Sequence, residues 1–296
     1  MKKIIVSKKY DNKKLNNFIL DSFPNLSPNT LYKALRQKDI RINNVKVSNN
    51  QIIHYGDEIT VYIADELLLN MQNILINKIY EDNNILIINK PEGIQVIDKD
   101  IKIQTITTIL KSKYEYIKPC HRIDRNTKGL VLFAKNELSY NILLNKFKNK
   151  EIEKHYLAII YGIPKKEHDI LEAYLFKDSK KSLVYISNEL KKGYQKILTE
   201  YTIIKKDLKN NITYLDINLH TGKTHQIRAH LSYIGYPIIG DGKYGKNDIN
   251  KKFGKKTQEL YSYSLKFNFK SDSSILNYLN SKTINLKLSN SIIKNH

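Results

Sequence analysis

The chain contains very little cysteine and no tryptophan. Among its 296 residues there is a single cysteine, Cys120. One cysteine excludes an intrachain disulfide and is typical of a reducing compartment, so we expect a cytoplasmic protein. The first residues, MKKIIVSKKYDNKK, have an apolar run of only three residues. Such a run is too short for a secretory signal or a membrane span, and we expect no membrane partner.

Acidic residues are also scarce relative to basic ones. The chain has 29 Asp and Glu against 50 Lys and Arg, which gives a formal net charge of +21. AT-rich codon usage explains part of the lysine content, since Asn, Ile and Tyr are abundant as well. It does not explain the imbalance between the two signs of charge. A charge of this size predicts attraction to polyanions, and nucleic acid is the leading partner.

Residues 1–63 have the pattern of a small module built of helix, helix, hairpin and strand. Two helices are predicted by apolar residues at helical spacing: Leu15, Phe18 and Ile19 in the first, and Leu31, Ala34 and Leu35 in the second. Ser27 is a candidate N-cap for the second helix. Asn43 and Asn44 tolerate the positive φ of a tight hairpin. The alternating segment EITVYI then predicts a strand.

Basic residues gather on the second helix and the hairpin of this module. They are Lys33, Arg36, Lys38, Arg41 and Lys46. One interpretation is an ordinary solvated basic face. The alternative is a surface that binds RNA phosphates.

The remainder of the chain predicts a larger α+β domain at 75–296, after a linker at 64–74. Short apolar runs with strand character alternate with helical segments. The runs are NILIIN (84–89), GLVLFAK (129–135), YLAIIYG (156–162) and ITYLDINL (212–219). Regular βαβ units are not evident, so we expect a mixed, largely antiparallel sheet.

The segment CHRIDRNTKGLVLFAK (120–135) places one carboxylate, Asp124, between two arginines. In an extended segment Arg122 and Asp124 share a face, and Arg125 points away. Such a pair is worth about 4 kcal/mol before desolvation, and it favours the ionised carboxylate. Asp124 is then either half of a structural ion pair or a nucleophile, base or electrostatic stabiliser. Cys120 and His121 point apart as neighbours, so we expect no Cys–His dyad.

The segment HTGKTHQIRAHLSYIGYPIIGDGKYG (220–245) predicts a helix that Thr224 caps and Gly235 ends. Arg228 lies off the apolar stripe of that helix and is free to reach a site. The helix N-terminus near His225 favours a phosphate.

Metal binding is not expected here. The histidines of this segment are five residues apart and lack the i, i+4 spacing of a zinc site, and no acids or thiols gather around them.

Two further segments carry weaker signals. In EKHYLAIIYG (153–162), Lys154 and Tyr156 share one side of a strand. A tyrosine there can stack on a base, although a half-buried strand tyrosine is the plainer interpretation. INKPEG (88–93) predicts only a strand followed by a turn.

Together, these segments resemble the RluA family of pseudouridine synthases. HRIDRNTKGLVLFAK resembles the family's catalytic motif, and INKPEG, KHYLAIIYG and HTGKTHQIRAH resemble its other motifs in the same order. Residues 13–63 resemble an S-four-type RNA-binding domain, which is typical of the subgroup that acts on large-subunit ribosomal RNA. The resemblance implies an isomerase that needs neither cofactor nor metal.

The resemblance also implies roles for particular residues. Asp124 is the essential carboxylate, as nucleophile or as base; Tyr156 packs on the target uracil; Arg228 pairs with Asp124. Arg122 helps to open the RNA. We expect further RNA contacts from Lys154, Lys223, His225 and Gln226, where Lys223 replaces the family's usual arginine. Transfer RNA is an alternative substrate that the sequence does not exclude. We expect the protein to be a monomer.

Two other functions are compatible with a strongly basic chain. A non-catalytic RNA-binding protein on the same scaffold would keep the basic residues but has no need of Asp124, Tyr156 and Arg228 together. A metal-dependent nuclease needs clustered acids, which the sequence does not offer.

Overall fold

The computed structural model describes residues 2–24, 26, 28–63, 75–98 and 104–287. The chain divides into two compact units, one of residues 1–75 with 98–105 and one of residues 76–97 with 106–296. The predicted linker at 64–74 and the candidate N-cap Ser27 lie outside the described residues. The boundaries 1–63, 64–74 and 75–296 therefore stay predictions.

The first unit contains the predicted series of helix, helix, hairpin and strand. Its elements are β1 (Lys2–Ile5), β2 (Lys13–Lys14), α1 (Leu15–Ser22), α2 (Pro28–Arg36), β3 (Ile40–Ile42), β4 (Val45–Val47), β5 (Ile52–Ile53) and β6 (Glu58–Val61). Four strands form a sheet in the order β1-β6-β3-β4, and β2 pairs with β5. The prediction lacked β1, β2 and β5.

The two helices of the first unit bury the faces that their spacing predicts. Leu15, Phe18 and Ile19 of α1 and Leu31, Ala34 and Leu35 of α2 all lie in one apolar core. The β3–β4 hairpin turns at Asn43 and Asn44, whose φ angles are +48° and +69°. Asparagine tolerates this left-handed conformation, which matches the twist of the flanking strands.

The second unit is built on a large mixed sheet. Its strands are β7 (Asn77–Glu81), β8 (Ile85–Lys90), β9 (Lys118–Pro119), β10 (Lys128–Ala134), β11 (Ile152–Tyr161), β12 (His168–Asp178), β13 (Leu183–Ser187), β14 (Gln195–Asp207), β15 (Ile212–Leu219), β16 (Leu260–Phe267) and β17 (Thr283–Asn285). Its helices are α3 (Ile106–Lys111), α4 (Glu137–Lys148), α5 (Gln226–Tyr233) and α6 (Asn247–Lys252).

The main path of this sheet runs β13-β12-β14-β15-β11-β16-β10-β8-β7. Its recorded pairs are antiparallel except for β10 with β16, which is parallel. This confirms the mixed, largely antiparallel sheet. All four predicted strand segments are strands, and the one at 212–219 has the predicted bounds.

Helix α5 differs from its prediction at the N-terminal end. It begins at Gln226, and its N-cap position is His225, with φ +53°, instead of Thr224. Gln226 accounts for the difference, because its side chain ties the preceding loop to β14. The predicted stop is confirmed: Gly235 has φ +90°, which favours glycine after a helix.

Within the described ranges, no helix is long and apolar enough to span a bilayer.

Candidate active site

Asp124 lies in the loop between β9 and β10 and pairs with an arginine that is distant in sequence. Its Oδ2 accepts a hydrogen bond of 3.0 Å from Nη1 of Arg228 on α5. This is the pairing that the resemblance implies, whereas the pairing with Arg122 that local spacing suggests is absent among the described residues. The other carboxylate oxygen, Oδ1, makes no hydrogen bond to a described residue. It is left available to a substrate.

Arg228 is held in place by a second carboxylate, Asp241. Nε and Nη2 of Arg228 donate to the two oxygens of Asp241 at 2.7 and 2.9 Å, in a bidentate pair. Burial opposes the charge on Arg228, but the hydrogen bonds and charge of Asp241, with the charge of Asp124, raise its pKa above the ordinary value. Burial likewise opposes ionisation of Asp241, yet Arg228 lowers the pKa of that carboxyl.

Two features of the backbone fix the loop that carries Asp124. The N–H of Thr127 donates to the carbonyl of Asp124 at 3.1 Å and closes a turn before β10. Gly129 then has φ +117°, and a Cβ at this position would lie 2.1 Å from the carbonyl oxygen of Ser262 on β16. Only glycine permits this close approach of β10 to its parallel neighbour.

Lys90 ties this loop to the Pro-Glu-Gly turn. Its fully buried ammonium donates to the carbonyl oxygens of Pro91, Ile94 and Arg125 at 2.6, 2.9 and 2.9 Å. Burial lowers the pKa of Lys90 to about 7. The three carbonyl acceptors match the three N–H donors of the protonated side chain and so oppose the effect of burial. The INKPEG segment thus contributes a clamp as well as a turn.

His225 lies beside the carboxylate. Its Nε2 is 4.0 Å from Oδ2 of Asp124, and its Nδ1 is 2.9 Å from the hydroxyl of Tyr244. The N–H of Val184 donates to the same hydroxyl at 2.9 Å. Burial lowers the pKa of His225, which favours the neutral imidazole. The left-handed backbone of His225 turns this ring toward the cleft.

Tyr156 on β11 lines the same cleft and is 5% exposed. The pairing of β11 with β16 has a bulge next to it, between His155 and Tyr156. Bulges of this kind re-aim side chains beside sites. Burial, with the negative charge of Asp124, raises the pKa of the Tyr156 phenol above its ordinary value of 10.0.

The cleft around these groups has a volume of about 270 Å³. Five of the predicted RNA-binding residues line it: Arg122, Lys154, Lys223, His225 and Gln226. Arg122 and Lys223 are exposed to solvent. The structure therefore brings together Asp124, Tyr156 and Arg228 with a set of basic side chains.

Gln226 also lines the cleft, but its amide is occupied by the protein. Its Oε1 accepts from Thr221 Oγ1 and from the N–H of Lys223, at 2.9 and 3.0 Å. Its Nε2 donates to the carbonyl of Leu198 and to Thr199 Oγ1, both at 3.0 Å. We assign Gln226 to positioning the 221–226 loop instead of to a direct hydrogen bond with RNA.

Sequence reasoning missed three residues of this site: Lys90, Asp241 and Tyr244. Asp241 and Tyr244 belong to the quoted segment GDGKYG, where a lone acid stands among glycines and basic residues. That isolation was a usable signal for Asp241. The role of Lys90 depends on three backbone carbonyls, which the sequence does not display.

Cys120 is buried and stays apart from the cleft lining. Burial raises the pKa of its thiol above the ordinary value, which disfavours a thiolate nucleophile. We predict that Cys120→Ala keeps the rate of RNA modification within about twofold and lowers the free energy of unfolding by about 1 kcal/mol. Urea unfolding and a single-turnover assay measure the two effects. A folded variant without activity would contradict the assignment.

In the described part of the chain, no group of three or more His, Cys, Asp or Glu side chains is arranged to hold a metal ion.

Comparison with known proteins identifies the second unit. A model of the family described as RNA pseudouridylate synthase matches residues 84–233. An uncharacterized RNA pseudouridine synthase of Mycoplasma capricolum is 33% identical over 96% of this chain and 97% of its own length. A ribosomal large subunit pseudouridine synthase D of Buchnera aphidicola is 34% identical over 85% of this chain and 81% of its own.

A solved structure shares the fold of the sheet. The human protein RNA Pseudouridylate Synthase Domain Containing 1 superposes with a TM-score of 0.56, at 20% identity, over 74% of this chain and 94% of that one.

The family model and these relatives place the chain in a class of RNA-modifying proteins, and its cleft holds a carboxylate paired with a buried arginine among basic side chains. The chain belongs to the RNA pseudouridylate synthase family, as its RluA-type motifs predict. It is an isomerase that converts uridine to pseudouridine in RNA.

Proposed function

We propose that this protein isomerises specific uridines of large-subunit ribosomal RNA, with Asp124 as the essential carboxylate. The observation that carries the proposal is the ion pair of Asp124 with Arg228 in the basic cleft. The substrate follows from relatives named ribosomal large subunit pseudouridine synthases C and D, at 33% and 34% identity. A transfer RNA substrate is the second candidate.

The reaction is an isomerisation, so no co-reactant is consumed. The bond from N1 of uracil to C1′ of the ribose breaks, the ring turns, and C5 bonds to C1′. The hydrogen on C5 is lost to a base and N1 gains a hydrogen. A carboxylate suits this chemistry either as the nucleophile or as the base. We propose no metal or other cofactor.

Arg228 orients Asp124 in this proposal. Asp241 occupies two donors of the arginine and leaves Nη1 for Asp124. The guanidinium thus holds the reactive carboxylate in position through Oδ2, while Oδ1 faces the substrate. Because Arg228 and Asp241 are both buried, this arrangement is set before RNA binds, and little reorganisation is needed during the reaction.

Tyr156 packs against the flipped uracil. A tyrosine ring supplies stacking area, and its hydroxyl can donate to a ring atom. Since the pKa of Tyr156 is raised, the hydroxyl stays protonated at neutral pH and acts as a donor. Arg122 fills the space that the flipped base leaves, and flipping costs a few kcal/mol, least in loops.

The first unit serves as an S-four-type RNA-binding domain in this proposal. Lys33, Arg36, Lys38 and Lys46 are exposed, and the Arg41 guanidinium lies 4.8 Å from the ring centre of Tyr62. No ion pair joins any of the five to another described residue. Free cations on a helix and the hairpin after it are available to phosphates. We also propose that the protein is a monomer and that it is located in the cytoplasm.

A reaction with purified components tests this proposal. The protein is incubated with unmodified transcripts of large-subunit ribosomal RNA and, separately, of transfer RNAs. Pseudouridine is located by carbodiimide modification and reverse transcription. We expect discrete sites in the ribosomal transcript. If pseudouridine forms only in the transfer RNA transcripts, transfer RNA is the substrate and the ribosomal assignment is wrong. If pseudouridine forms in neither kind of transcript, the proposal is contradicted.

We predict that Tyr156→Phe lowers kcat by about 10²-fold, because the hydroxyl donor is lost, while KM stays nearly unchanged. Tyr156→Leu also removes the stacking surface, so KM rises by about tenfold or more. Steady-state kinetics on one mapped site separate the two effects. Equal loss of kcat in both variants with no change of KM would contradict a stacking role.

A further inference from the structure

A second cleft lies beside the active site. It has a volume of about 310 Å³ and is enclosed by residues 147–154 on one side and 218–222 on the other. Lys154, Leu219 and Gly222 line both this cleft and the one that contains Asp124. The two clefts are therefore neighbours that share one wall.

The lining of the second cleft is strongly basic. It contains Lys148, Lys150 and Lys154 against a single carboxylate, Glu153. Glu153 already accepts a hydrogen bond of 2.7 Å from Nδ2 of Asn268 and lies 3.6 Å from His155. The ammonium groups of these three lysines form no ion pair and no hydrogen bond with another described residue. Three unpaired cations in one cleft favour an anion.

Lys154 is the central cation of this wall. Its Nζ lies 5.0 Å from the centre of the Phe147 ring, and a Cβ at Gly222 would be 3.8 Å from the same atom. Burial lowers the pKa of Lys154. A cation that is desolvated in this way gains more from an anionic ligand than a fully solvated one does.

We propose that this second cleft binds backbone phosphate of the RNA next to the nucleotide that is flipped into the active site. The inference rests on the proposed function, since it takes RNA as the substrate. Lys154 contacts the strand at the shared wall, and Lys148 and Lys150 neutralise phosphate on the outer side. The phosphate contacts position the strand and carry no sequence information.

The test uses Lys148→Gln with Lys150→Gln in the full chain, because both side chains are exposed and neither lines the catalytic cleft. The matched control is Lys165→Gln with Lys209→Gln. These two exposed lysines follow the C-terminal ends of β11 and β14. Their substitution removes the same amount of positive charge as the cleft variant does. Binding of a fluorescent oligouridylate is measured by anisotropy across a salt series. Thermal melting shows that both variants remain folded.

We expect the cleft variant to bind about tenfold more weakly at low salt, while the control changes by less than about twofold. The slope of log K against log salt falls by about 0.7 for each lost phosphate contact. Equal weakening in the two variants would overturn the proposal, because the lysines would then act only through net charge. No weakening in the cleft variant would overturn it as well.

An assay of pseudouridine formation by the wild type distinguishes failure of the proposed phosphate site from failure of the proposed isomerase function. If the wild type forms no pseudouridine but the cleft variant still loses binding, the function fails and the phosphate site stands. If the wild type is active and the cleft variant binds normally, the phosphate site fails and the function stands.

Discussion

Asp124→Asn is expected to abolish isomerisation, with a fall in rate of about 10⁴-fold or more. Asparagine keeps the size of the side chain but provides neither a nucleophilic carboxylate nor a base. The fold should persist, because Arg228 retains its bidentate pair with Asp241. Single-turnover assays on a mapped ribosomal site measure the rate, and anisotropy measures RNA affinity.

RNA affinity is the internal control for this variant. The cations that contact phosphate are unchanged, so the dissociation constant should stay within a few-fold of the wild-type value. An Asp124→Asn variant that modifies RNA at a tenth of the wild-type rate or faster would remove Asp124 from the chemistry. A variant that loses both activity and binding would place the residue in RNA recognition instead.

Asp241→Asn has the second largest expected effect, on stability as well as on activity. It removes one charge from a buried pair in which the side chains are 1% and 7% exposed. The buried guanidinium keeps only Asp124 as a carboxylate partner, and the loss of its bidentate pair destabilises the fold by about 3 kcal/mol. Arg228 also loses the partner that orients it toward Asp124, so the rate should fall by about 10²-fold. Urea unfolding and kcat measure the two losses.

Glu151→Gln is the matched control for Asp241→Asn. Glu151 forms a buried pair with Lys146 at 2.7 Å in the same unit, and neither residue lines the catalytic cleft. Breaking this pair should destabilise the fold by a similar amount and leave kcat unchanged below the melting temperature. If both variants lose kcat equally, Asp241 acts only through stability, and its role in orienting Arg228 is wrong.

The fold was predictable where one side of an element is buried. The apolar faces of α1 and α2 and the run at 212–219 follow directly from period and burial. The start of α5 was not predictable. It depends on Gln226, whose side chain bonds to β14, a strand more than twenty residues earlier. Such long-range hydrogen bonds override local capping preferences.

The motifs that resemble the family predicted that Asp124, Tyr156 and Arg228 act together, and the structure places all three at one cleft. Local geometry alone favoured the wrong partner, Arg122, because spacing along the chain contains no information about α5. Asp241 stands out in the sequence as a lone acid in GDGKYG, but its partner was not predictable, for the same reason. Its function is to hold Arg228, which becomes visible only when the loop after α5 folds back.

Mapping pseudouridine in cells tests most directly whether this protein isomerises uridines of ribosomal RNA by means of Asp124. Ribosomal and transfer RNA are mapped with the gene present, deleted, and restored as wild type or as Asp124→Asn. We predict that specific large-subunit sites vanish on deletion and return only with the wild type. Equal restoration by Asp124→Asn, or no change on deletion, would contradict this claim and favour a non-catalytic RNA-binding protein.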